Sequence, residues 1–187
     1  RVVLWVAVVL VVAGAALLWR HYAGRQEPLV ADLPGDDVAP AIEEPVVGDR
    51  AVVLVFPEWD AMGTVTEARR IPSQGHAEED LLNLMRELCA GPSVSGAARA
   101  VPEGTRPLGA FLDPEDDACV LDFSEEIVTR HPGGSAGESA TIDAILGTVA
   151  LNFPDLETCR IVVDGAPVET LAGHVGLDEP FRLARWR

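Results

Sequence analysis

Four histidines, three cysteines and a scatter of serines and carboxylates are the groups of this chain that could do chemistry. His21, His76, His131 and His174 are dispersed. None sits in the HExxH, GxSxG or P-loop spacing that builds a metalloprotease, a serine hydrolase or a phosphate cradle. Ser135 follows Gly133 and Gly134 where a helical pattern begins, a place where free backbone N–H groups attract an anion. The same residues also read as a cap, because Ser135 and Glu138 stand at capping-box spacing. Asp122 and Asp164 read as strand-edge and turn residues rather than a working pair of carboxylates. Cys89, Cys119 and Cys159 contain no CxxC pair, so a structural zinc site is not expected. Four acids between Asp113 and Asp117 lack the alternating ligands and distal Glu of a calcium loop, and predict a solvated turn. The chain is therefore expected to carry no catalytic residue, cofactor or metal.

The elements that hold these residues follow from hydrophobic period. Residues 50–57 form a continuous apolar run and predict a buried strand. Residues 64–71 predict its hairpin partner, with Asp60 and Gly63 in the loop. Glu58, Trp59 and Asp60 fall at the exposed end of that hairpin, where a Trp beside acids is a contact point or a rim-packing residue. Leu81, Leu82, Leu84, Met85, Leu88 and Cys89 share one face of a helix. Glu78, Glu79 and Asp80 complement the dipole in its first turns, and Gly91-Pro92 stops it. Residues 93–106 predict a loop, and 107–112 and 118–123 two strands. Ser124 is expected to cap a short helix. A longer helix then puts Ile142, Ile145, Leu146, Val149, Ala150 and Phe153 on one face. Thr158–Val163 predicts a strand, Asp164-Gly165 a hairpin turn, and Val168–Leu171 the returning strand. Cys119 and Cys159 both fall in strands, as two buried thiols or as a disulfide in an oxidising compartment. The tail 184–187 is basic; it either packs on the body or serves as a contact arm.

Residues 2–19 are apolar without exception, about 27 Å of helix at 1.5 Å per residue. That predicts a membrane span within residues 1–25, with Val2, Trp5, Leu10, Leu18 and Trp19 along it. The alternative is a signal peptide, with Ala13-Gly14-Ala15 as its cleavage site. No cysteine ends the run, so the attachment pattern of a bacterial lipoprotein is not expected. Two arginines after the run against one before it favour a body inside the cell by the charge rule. Residues 26–49 hold four prolines and seven acids and predict an extended linker. The chain has no lysine, and residues 26–187 carry 30 acids against 11 arginines, a formal charge of −19. Such a body repels nucleic acid and anionic lipid, leaving solubility or a cationic partner as the role of the charge.

The second half resembles the GerMN domain of bacterial envelope proteins. The resembling pieces are AGPS at 90–93, VPEGTR at 101–106, LDFSEEI at 121–127, GGSAGE at 133–138, VDGAPVETLAGH at 164–174 and DEPF at 178–181. The domain-motif residues are thus Gly91, Pro92, Asp122, Phe123, Ser124, Gly133, Gly134, Ser135, Asp164 and Gly165. The resemblance covers residues 50–183 with one copy, where the germination protein GerM carries two. It implies a domain of mixed helix and sheet outside the cytoplasmic membrane; with the elements above, the expected fold is α+β, a mixed, largely antiparallel sheet with two main helices packed on it, behind the N-terminal transmembrane helix read from residues 2–19. It also implies an assembly role with envelope proteins as partners, a homo-oligomer remaining open, and no catalytic residues to transfer. Cell-wall fragment binding is the second reading, against which the scarcity of exposed aromatics argues.

Overall fold

The computed structural model describes residues 48–60 and 63–187. The expected span and all of the linker before Gly48 lie outside these residues. Among the described residues no helix is long and apolar enough to cross a membrane.

Strands β1 (Gly48–Pro57) and β2 (Thr64–Ser73) form an antiparallel hairpin, with β1 starting two residues earlier than expected. Helix α1 (Ala77–Ala90) follows and buries Leu81, Leu84, Met85 and Leu88. Strands β3 (Pro107–Asp113) and β4 (Ala118–Phe123) pair antiparallel across the acidic turn. The short helix α2 (Glu126–Thr129) and the long helix α3 (Ser135–Asn152) cross over to β5 (Thr158–Val163), which lies parallel to β4. A two-residue strand β6 (Phe181–Arg182) pairs with β5, and a 3-10 turn spans Leu183–Trp186.

The α+β class and both main helices are as expected, but there are two sheets rather than one: β1-β2, and β3-β4-β5-β6. The reason lies on the free edge of β1. Asn152 presents its amide there like a neighbouring strand, accepting from Val53 N–H at 3.0 Å and donating to Val53 C=O at 2.7 Å. Thr148 Oγ1 accepts from Val55 N–H at 2.9 Å. Backbone groups that would have recruited another strand are thus satisfied by helix side chains. Helix α3 packs close on β1 at Gly147, where a Cβ would meet the Val55 side chain in ordinary contact at 3.4 Å.

Helix α3 is more enclosed than one apolar stripe predicts. Thr141, Ala144, Gly147 and Thr148 are buried together with Ile142, Ile145, Leu146, Val149 and Ala150. A helix apolar on several sides is placed centrally, with partners on more than one flank. Its C-terminal end is held by Arg50, which donates to Asn152 C=O at 2.6 Å and lies 4.6 Å over the Phe153 ring. The other guanidinium nitrogen of Arg50 reaches Asp80 at 3.2 Å, joining α1 to the same point.

Val168–Leu171 does not return as a strand. The Asp164-Gly165 turn forms, with both residues at positive φ (47° and 74°), but the chain then leaves β5 in irregular backbone. Pairing with β5 is taken up by Phe181–Arg182 instead. The basic tail packs on the body: Trp186 Nε1 donates to Asp143 at 2.8 Å, and its ring meets Phe181 edge-on at 6.3 Å.

Replacing Asn152 by Ala removes both partners of Val53. Its loss is expected to cost about 1–3 kcal/mol by urea unfolding, the range for orphaned buried backbone groups, with the fold retained.

Candidate functional site

Family-motif loops converge around the N-terminal half of α3. Gly134, at φ 86°, precedes the helix, and no side chain caps it. Ser135 is exposed on the first turn, so the expected Ser135–Glu138 capping box does not form. Glu138 faces the other way. It is fully buried, and its Oε2 accepts from the backbone N–H of Ala172, His174 and Val175 at 3.1, 3.0 and 2.8 Å. Oε1 accepts from His174 Nδ1 at 2.8 Å. Burial by itself pushes this carboxyl up from its ordinary 4.5. The N–H of Val175, the His174 ring and the N–H groups of His174 and Ala172 outweigh it and hold the pKa at about 2. The physical reason for the failed cap is competition: a loop with three converging N–H groups is a better site for the carboxylate than one N–H at the helix start. The same buried charge fills the positive end of α3, which removes the attraction for an external anion suggested by Gly133-Gly134-Ser135.

His131 closes the neighbouring corner. Gly133 N–H donates to His131 Nδ1 at 3.0 Å, which puts the ring proton on Nε2, 3.0 Å from Thr141 Oγ1. Thr141 in turn donates to Ala100 C=O at 2.6 Å. Burial lowers the His131 pKa below its ordinary 6.5, against the pull of Glu138. A protonated ring would lose the Gly133 bond, because both nitrogens would then be donors.

The remaining motif residues are fastenings too. Gly91 ends α1 at φ 91°, and its carbonyl accepts from Arg69 at 2.6 Å. Beyond Pro92, Ser93 N–H donates to buried Glu67 at 2.9 Å. Arg69 donates to the same carboxylate at 2.7 Å, and with Ser93 it holds Glu67 at about 2 although burial opposes. Asp122 accepts from Gly165 N–H at 3.0 Å and so ties β4 to the turn at Asp164. Phe123 lies in the core, and its carbonyl accepts from Asp164 N–H at 2.9 Å. Ser124 does not cap α2, whose N-cap is Glu125. It is an extension of β4: its N–H donates to Arg106 C=O, and its hydroxyl accepts from Arg106 N–H at 3.0 Å. Asp122 and Asp164 are not paired as carboxylates; they meet through the backbone of one turn.

Cys119 and Cys159 face each other in register on β4 and β5, both buried and both free thiols. Hydrogen bonding to Cys119, with burial, raises Cys159. Burial pushes Cys89 up to about 12 despite Arg99 nearby, which leaves it inert as a nucleophile. Among the described residues no group of three His, Cys, Asp or Glu side chains is placed to hold a metal ion.

What these fastenings leave open is a cleft of about 340 Å³ between the β1 end, the 98–102 loop and the start of α3. Pro57, Ala98, Val101, Pro132, Ala140 and Thr141 contribute to its walls, His131 lines it, and Glu58 and Trp59 stand at its mouth. Trp59 is 77% exposed. The two sides of the mouth are pinned by Trp59 N–H to Gly96 C=O at 3.0 Å and Ala98 N–H to Pro57 C=O at 2.8 Å. Sequence reasoning singled out Trp59 as a contact point but not the cleft, because its walls come from three distant stretches.

The comparisons fit this arrangement of motif loops. The family model Germane, described as sporulation and spore germination, matches residues 54–169. The chain belongs to the Germane family. A lipoprotein candidate from Clostridium perfringens is 26% identical, with a TM-score of 0.52 over 75% of this chain and 92% of its own. The tandem GerMN domains of the sporulation protein GerM from Bacillus subtilis share the fold, at 13% identity and a TM-score of 0.56. That match covers 72% of this chain but 46% of the tandem protein, under half its length. No curated protein matches the chain. The GerMN resemblance read from the sequence is thereby shown.

Two pH effects are expected in thermal melts of this Germane domain. His131 has a lowered folded pKa, so the unfolded chain binds the proton first and stability falls as pH drops below 6.5. Glu138 and Glu67 are also lowered, so their stabilisation is complete above about 4.5 and is lost toward 2. Glu138→Gln is expected to lower the melting temperature at pH 7 and to flatten the fall between 4.5 and 2, with the Glu67 share remaining. An unchanged acid limb would remove Glu138 from this role.

Proposed function

We propose that the chain is a membrane-tethered, non-enzymatic interaction domain of the bacterial envelope, held outside the cytoplasm by its apolar N-terminal run. Support for the role comes from what the motif residues do. Asp122, Ser124, Glu138, Gly91 and Ser93 are bonded within the body, so their polar groups are spent on building the domain. The function then falls to shape and surface, which is what a scaffold needs. Membership of a sporulation and germination family and a lipoprotein candidate as structural neighbour support an envelope location. The apolar run at 2–19 supplies a route to the membrane in this chain. The process it serves is envelope assembly or a sporulation-like one.

An alkaline-phosphatase fusion after Arg187 is expected to be active in cells, since the enzyme folds only outside the cytoplasm; a silent but full-length fusion would reverse the orientation. Cross-linking of the tagged full chain in cells is expected to capture envelope proteins. Recovery of cell-wall polymer alone would replace the scaffold by a wall-binding module.

A further inference from the structure

We infer that the cleft at Trp59 receives a partner segment in which a Lys or Arg adjoins an aliphatic residue. The cation lies over the exposed indole of a cleft that Glu58 also lines, and the aliphatic side chain packs on Ala98, Val101 and Ala140 of the lining. This deepens the interaction role proposed above and rests on it.

Chemistry selects this occupant. At about 340 Å³ the cleft is near the lower end for ligand sites, roughly 300–1,000 Å³, which suits two or three side chains of a peptide. Its polar walls are already committed. Thr141 donates to Ala100 C=O, and both ring nitrogens of His131 are hydrogen-bonded. A sugar, which needs several free partners for its hydroxyls, finds few. An anion fares no better. The one cation in the lining, Arg99, donates to the C-terminal carbonyls of α1, Cys89 at 2.7 Å and Ala90 at 3.0 Å. Positive charge is favoured instead. Residues 48–187 hold 24 acids against 11 arginines, so the body as a whole attracts cations. An indole is the best aromatic face for a cation, and Glu58 adds a negative charge to the lining. Among the described residues Trp59 is the most exposed large hydrophobic side chain, and its backbone N–H is fixed to Gly96 C=O.

The test pans a random-peptide library against the full chain in nanodiscs, with W59A and E58Q in parallel. Enriched peptides are expected to place Lys or Arg next to Leu, Ile, Val or Pro. Synthetic copies should bind W59A at least tenfold more weakly, bind E58Q more weakly, and lose affinity as salt rises. Trp59 is exposed, so W59A is expected to melt like the wild type. If it does not, A140F, which puts bulk into the same lining, gives the same reading. No enrichment, acidic peptides, or binding indifferent to both W59A and A140F overturns the inference. Trp59-dependent binding of peptidoglycan fragments in place of peptides would overturn it too. The interaction role fails separately: cross-linked envelope partners that persist in W59A leave that role standing and move the site.

Discussion

A single buried carboxylate, Glu138, is the constraint on which the motif half of this domain depends. A charge taken fully out of water must be surrounded by donors, or it forces the structure open. Here the donors are the backbone N–H groups of Ala172, His174 and Val175 and the His174 ring. The loop therefore has one conformation in which the charge is satisfied, and the first turns of α3 have one rotation. Leu171 and Leu177, flanking those donors, are fully buried as a consequence of the same placement. The expected return strand is thus replaced by irregular backbone, three of whose N–H groups point at one side chain.

The same economy recurs at the other end of α3. Thr148 and Asn152 bond the free edge of β1 where a strand would otherwise sit. Arg50 and Arg69 then lock helix ends to the hairpin through carbonyls of Asn152 and Gly91. The central helix is thus joined to its surroundings by polar contacts at both ends and by apolar packing between. Asp122 and Ser124, which looked like candidates for chemistry, are bonded within the body, while Ser135 stays exposed at the helix start; the cleft at Trp59 lies on another part of the surface of α3.

Much of this was legible in the chain. The pattern of apolar residues placed β1 through β5, α1 and α3 within two residues, because a short apolar run bounded by charge and proline marks a buried strand and a 3.6-residue period marks a helix. Gly91-Pro92 and Asp164-Gly165 marked a helix stop and a turn because they suit positive φ. The site was less legible. Glu138 stands four residues before Ile142, seven before Ile145 and eleven before Val149, on the buried stripe itself. That period was a signal that the carboxylate turns inward, yet the nearer capping-box pattern gave an equally good local account.

By itself, then, the sequence determined the family, the order of elements, the apolar N-terminal run and the acidity of the body. These follow from local period and composition. Only the tertiary structure decided which side chain answers which backbone group. Ser135 at the helix start and residues 172–175 far along the chain compete for the same Glu138, and the winner depends on distances no local pattern encodes. The cleft at Trp59 is of the same kind, since its walls meet only after the hairpin, the 98–102 loop and α3 have packed.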